Sequence, residues 1–213
     1  MVEVTVFVEG GVLPNDNIAV QTLDNSQKLR ESFYNIIYKL VDNTDFSINI
    51  QPSSGYKQAV KFFKNRLTGN TILIIDLENP KEYRDGKLIE LELQDYGDKV
   101  FFMIQEMEAW ILSQPEQIEE CYKNRYKREK SDIEISEDNL IKGKHPEDIV
   151  KPSWVLKVLL KRYFSYEKRN KKKKKEYGKL KDAPELLNYL NVNKLHDVFG
   201  DVKCLAETVK NMK

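Results

Sequence analysis

Residues 71–76 read Thr-Ile-Leu-Ile-Ile-Asp, an uncharged, β-branched run that stops at a carboxylate. A strand with apolar side chains on both sides is buried on both sides, as in a parallel sheet sandwiched between helices. Upstream, residues 2–8 (VEVTVFV) form a similar run ending at Glu9-Gly10-Gly11, and residues 46–50 form a shorter one. Between them, Leu29, Phe33, Ile36, Ile37, Leu40 and Val41 recur at helical spacing over 26–43, with Ser26 as the expected N-cap. The stretch Pro14, Asn15, Asp16 and Asn17 is rich in turn formers. A second helical pattern over 54–67 places Ala59, Val60, Phe63 and Leu67 on one face and stops at Gly69-Asn70. This alternation is a βαβαβ unit.

Beyond Glu78 the chain is polar until residues 99–104 (KVFFMI), the expected next strand, and a helix from about Gln105 with Met107, Ile111 and Leu112 inward. Residues 115–128 look helical, and 129–150 read as a loop or insertion. After Pro152, Trp154, Val155, Val158, Leu159, Leu160 and Tyr163 mark a helix; shorter helical signals follow at 184–189, 192–199 and 202–212. The fold class is therefore α/β: a Rossmann-like, mainly parallel sheet flanked by helices over 1–128, then a helical C-terminal extension over 129–213 packed on that core.

Among 213 residues, 32% are charged and 40% hydrophobic, and no apolar run reaches the length of a membrane span. The opening MVEVTVFVEGG lacks a signal-peptide pattern, so a cytoplasmic location is expected. Two cysteines, Cys121 and Cys204, and two histidines, His145 and His196, leave no Cys/His zinc site, so any metal would be held by carboxylates. The net charge of +1 conceals a segregation: residues 161–181 carry 11 Lys/Arg against 2 Asp/Glu, whereas 70–120 carry 13 acidic and 4 basic residues.

In open parallel sheets, functional groups gather beyond the carboxyl ends of strands. Glu9 ends the first run, and Asp76 and Glu78 end the third. If the strand continues, Asp76 and Glu78 point to one side with Leu77 opposite. Such a set suits a hard cation such as Mg²⁺ or Mn²⁺, which prefers oxygen ligands. Gly10 and Gly11 would let a phosphate approach the backbone. The plainer reading is that these acids only end strands.

A Glu-Gly after the first strand and an acidic pair after the third resemble the Toprim fold of topoisomerases, primases and OLD-type nucleases, with Glu78 in place of the usual second aspartate. VEGG, IDLENP, FFMIQEMEAWILSQPE, KPSWVLK and YGKLKDAPELL together resemble the RloB-like group of small Toprim-related proteins. That resemblance implies a metal-dependent nuclease acting on DNA or RNA, an effector of anti-phage defence controlled by an ABC-type ATPase partner. It further implies that Glu106 and Glu108 lie near the carboxyl edge. Glu9, Asp76, Glu78 and Glu108 would then be catalytic metal ligands, with Asp16 or Glu108 serving a second ion and Lys179 acting as a fixed cation. A non-catalytic subunit docked on the ATPase is the alternative. Monomer and homodimer remain open.

Lys168 to Lys175 places seven cations in eight residues, in an extended basic helix or a mobile loop flanked by Tyr163, Phe164, Tyr166 and Tyr177. The run can neutralise a nucleic-acid backbone while the aromatics stack on bases; the competing reading is a solvated loop.

Overall fold

The computed structural model of the chain describes residues 1–12, 19–42 and 45–212; Asp16 and the expected turn around it lie outside the described residues. The architecture is α/β, a four-stranded parallel sheet flanked by helices. Strands β1 (Val2–Glu9), β2 (Phe46–Ser53), β3 (Thr71–Asp76) and β4 (Val100–Met103) lie in the order β2-β1-β3-β4. Helix α1 (Val20–Val41) covers one face, packing Leu29, Phe33, Ile36 and Ile37 on Val4, Val6, Val8, Ile72 and Ile74. Helix α2 (Tyr56–Asn65) and α3 (Arg84–Glu90) cover the other, where Ala59, Phe63 and Leu88 meet Phe7, Leu73, Ile75 and Phe102. Alternate residues of β1 and β3 thus enter opposite layers, as apolar side chains on both sides of these runs require.

Both edges fit their positions. β2 carries Pro52, which lacks an N–H and is tolerated in an edge strand. At the other edge, the Phe102 N–H of β4 donates to Asp201 Oδ1 at 3.3 Å, so a side chain of α9 (Gly200–Lys210) takes the place of a fifth strand there.

After β4 the chain forms α4 (Glu108–Leu112) and α5 (Pro115–Tyr122), a short strand β5 (Lys127–Arg128), a mostly irregular segment with short 3₁₀ turns, and α6 (Pro152–Tyr163). Helices α7 (Lys179–Tyr189) and α8 (Val192–Val198) lead to α9. These C-terminal helices join the α1 face in one continuous apolar core, and Ser32 Oγ of α1 donates to the Pro184 carbonyl of α7 at 2.8 Å. No helix among the described residues is long and apolar enough to cross a membrane.

Three local expectations are corrected. Ser26 does not cap α1, which starts at Val20; it is buried in the helix and its Oγ accepts the Val12 N–H at 3.0 Å. Residues 123–128 leave the helix and end in β5. The lysine run is neither helix nor loop but a hairpin of β6 (Phe164–Lys168) and β7 (Lys171–Lys174), which with β5 forms a three-stranded antiparallel sheet. Its two-residue turn, Arg169-Asn170, has φ of 55° and 56°, the paired positive values of a tight hairpin turn. Lysines four apart on a helix would repel one another, whereas a strand sends alternate ones to opposite faces.

Candidate active site at the carboxyl edge of the sheet

The strand order changes direction between β1 and β3, because β1 leads to β2 on one side and β3 to β4 on the other. The carboxyl ends of these two strands therefore flank the crevice where open α/β sheets bind ligands. Val8 pairs with Ile74, so Glu9 stands beside the end of β3. Its Oε2 accepts the Asp76 N–H at 3.0 Å.

Asp76 is buried and held on both oxygens. Oδ1 accepts the Met107 N–H at 2.8 Å, and Oδ2 accepts from Lys179 Nζ at 2.8 Å. Glu108, 0% exposed at the start of α4, takes the Tyr177 hydroxyl on Oε1 at 2.8 Å. Its Oε2 lies 3.7 Å from Lys179 Nζ and is buried with no hydrogen-bond partner. Tyr177 is the contributor that the sequence reading misplaced: its hydroxyl serves Glu108 rather than a base. The Tyr177-Gly178-Lys179 segment was visible in the sequence, but not the tyrosine's partner.

The turn carrying Tyr177 and Lys179 is itself clamped. Asp182 accepts the Gly178 N–H on Oδ2 at 2.8 Å and Lys175 Nζ on Oδ1 at 2.5 Å, with both side chains buried. The Lys175 ammonium also sits 5.5 Å from the ring centres of Tyr122 and Tyr126. Glu106 is placed at the same edge, where its Oε2 accepts the Ser153 N–H of α6 at 2.7 Å.

Glu78 does not converge with Asp76 as an extended strand would require. Its φ of 57° turns the chain, its N–H donates to the Gln105 carbonyl at 2.7 Å, and its side chain is exposed beyond the fully buried Leu77. It stands at the rim, near enough for its charge to act on Glu9. Gly10 and Gly11 have φ of 113° and 89°, and a Cβ on either would meet Leu29 or Pro52 at 3.2 Å. Their lack of side chains serves the turn and its packing.

The electrostatics are those of crowded acids. Burial, and then the Asp76 charge, raise the Glu9 pKa from 4.5 to about 7. Burial likewise pushes Asp76 and Glu108 up, with Lys179 acting against it. For Lys179, burial opposes the charged form, but Asp76 and Glu108 outweigh it and hold the pKa above the ordinary lysine value. Three carboxylates thus face one ammonium, leaving two negative charges without compensation when all are ionised.

Among the described residues, no group of three or more His, Cys, Asp or Glu side chains, Glu9, Asp76 and Glu108 included, is arranged so that it could hold a metal ion as it stands. The donor chemistry nevertheless fits a hard divalent cation. It offers only oxygens, a charge deficit, and an unpartnered buried Oε2 on Glu108.

Residues 23–204 match the family model described as a domain of unknown function, DUF4276. The chain belongs to that family. The matched region contains Asp76, Glu78, Glu108 and Lys179 and begins after Glu9. No curated protein and no solved structure matches the chain.

Proposed function

We propose that this chain is a Mg²⁺- or Mn²⁺-dependent nuclease that hydrolyses phosphodiester bonds of DNA or RNA. In this reading it is a Toprim-type relative of the RloB-like proteins, a cytoplasmic effector of anti-phage defence controlled by an ABC-type ATPase. The observation that carries the reading is the meeting of Glu9, Asp76, Glu108 and Lys179 at the carboxyl ends of β1 and β3.

Glu9, Asp76 and the free Oε2 of Glu108 would hold the ion, with Glu78 adding a water-exposed carboxylate at the rim. A divalent ion bound there would supply an activated water and charge neutralisation on the phosphate. The protein's own groups set the stage. The Met107 N–H orients Asp76, the Asp76 N–H of β3 orients Glu9, and the Tyr177 hydroxyl orients Glu108. Lys179, anchored through Asp76 Oδ2 and partly exposed, directs the rest of its ammonium at a phosphate oxygen, where negative charge grows in the transition state. Hydrolysis by water needs no protein nucleophile.

The second reading is a non-catalytic subunit that docks on the ATPase. The ion pair of Lys179 with Asp76 favours it, because the ammonium already offsets part of the charge a metal would serve. Incubation with plasmid, single-stranded DNA and tRNA in Mg²⁺ or Mn²⁺, with and without the ATPase, separates the two. Wild type should cut, and Glu9→Gln and Asp76→Asn should lose at least about 100-fold of the rate. Equal activity in all three proteins refutes the catalytic assignment.

A further inference from the structure

Strand pairing sorts the lysine run into two faces. Tyr166 pairs with Lys173 and Lys168 with Lys171 on one face of the β6–β7 hairpin; Ser165, Glu167, Lys172 and Lys174 share the other. Glu129 meets the second face, binding Lys172 Nζ at 2.7 Å and Ser165 Oγ at 2.5 Å, with Lys174 Nζ at 3.6 Å. Its positive charge is offset within the chain.

The first face opens on a groove of about 690 Å³ lined by Tyr126, Lys161, Tyr166, Lys168, Lys173 and Lys181; Lys174, 3.6 Å from Glu129, also reaches its rim at the end of the strand. Lys161 pairs with Glu176 at 2.9 Å, but Lys168, Lys173 and Lys181 have no acidic partner among the described residues. Tyr166 is half-buried and stands edge-on to Tyr126, with ring centres 5.8 Å apart. Tyr163 and Phe164, the other aromatics before the run, are buried in the core and cannot stack on a ligand.

The geometry points to a binding site for a single-stranded polynucleotide, DNA or RNA. Uncompensated lysines along a trough match an evenly repeated anion, and a tyrosine in its wall matches bases whose faces are free. A flat anionic membrane would use the lysines but not the concavity. One short segment joins the groove to the acid site: Glu176 and Lys181 line the groove, while Tyr177 and Lys179, between them in sequence, reach Glu108 and Asp76. That the bound strand is what the acid site cuts rests on the proposed nuclease activity; the binding itself does not.

Binding of labelled oligodeoxythymidylate and oligouridylate, measured by anisotropy in EDTA over a range of salt, tests the site. Replacing Lys168, Lys173 and Lys181 together by Gln should flatten the slope of log K against log salt by about 2. Tyr166→Ala should weaken single-strand binding about 5- to 150-fold, with Tyr166→Phe restoring it and duplex binding unmoved. Lys173→Gln alone should weaken binding, whereas Lys172→Gln, the same single charge change on the opposite face, should leave affinity as it was.

The proposal is overturned if Lys172→Gln weakens binding as much as Lys173→Gln, if the triple variant binds like wild type, or if polyglutamate or anionic vesicles bind more tightly than the oligonucleotides. DNA and RNA arms identify which polynucleotide the groove prefers. Cleavage in Mg²⁺ is scored separately: intact groove binding with no cleavage by wild type leaves the site standing and removes the nuclease reading. Asp76-dependent cleavage with normal binding in every groove variant does the reverse.

Discussion

Lys179 ties two buried acids that would otherwise repel each other, so its removal has a signed consequence. Without the ammonium, Asp76 and Glu108 hold protons that the unfolded chain has already released. Folded carboxyls with raised pKa values lose stability as pH climbs. The stability gap between wild type and Lys179→Met, measured by urea unfolding in metal-free buffer, should therefore be wider at pH 8 than at pH 5. Glu9 follows the same sign within a defined window. Its pKa rises from 4.5 to about 7, so its contribution to stability is lost over that interval. The Tm of Glu9→Gln, whose amide oxygen can still accept the Asp76 N–H, should fall less than that of wild type between these pH values. Parallel pH profiles would contradict the placement of Glu9. Glu9 and Asp76 were legible as candidates because each ends a β-branched strand run. The left-handed backbone of Glu78, which carries its side chain to the rim, cannot be read from an acidic letter.

At the scale of elements, the hairpin and the start of α7 act as a bracket. β7 ends at Lys174, Lys175 turns inward to Asp182, and the enclosed turn delivers Tyr177 and Lys179 to the sheet edge. Asp182→Ala leaves the Lys175 ammonium buried without its partner, a change expected to destabilise the fold by about 3–5 kcal/mol. Asp182→Asn keeps an acceptor for the Gly178 N–H, so its loss of Tm should be milder; on the proposed nuclease reading its cleavage rate falls as well. Comparison of the two variants by thermal unfolding and rate checks this. Beyond the Tyr177-Gly178-Lys179 segment, the pairing within the bracket was not visible in the letters: a low-complexity lysine run states charge, not pairing. The decisive cues were Arg169-Asn170, able to adopt the left-handed turn, and the buried Tyr163 and Phe164, which anchor the entry into β6. Helices α1 and α2 were legible in outline, because each must bury one stripe against the sheet.

For the whole molecule, the α1 face of the sheet and helices α4 to α9 share one apolar core, from Val4 and Ile72 through Phe33 and Trp110 to Phe199 and Val209. The chain is accordingly expected to unfold in one cooperative step, with calorimetric and van't Hoff enthalpies equal. Two resolved transitions would show that residues 129–213 fold apart from the sheet. The charge segregation also takes on a spatial meaning. The acids at the strand ends and the lysines of the hairpin lie at the two ends of the short segment that carries Tyr177 and Lys179.

By itself, the sequence determined the α/β class, the order of strands and helices through β3, and the two carboxylates at strand ends, because burial periodicity and chain direction are local properties; α3 (Arg84–Glu90) lies in a stretch too polar to show a helical stripe. Only the tertiary structure decided that Lys179 bridges Asp76 and Glu108, that Tyr177 serves Glu108, that Glu78 turns outward, and that the lysine run folds into two unlike faces. Each of those outcomes depends on partners far away in sequence, or on a backbone conformation set by packing.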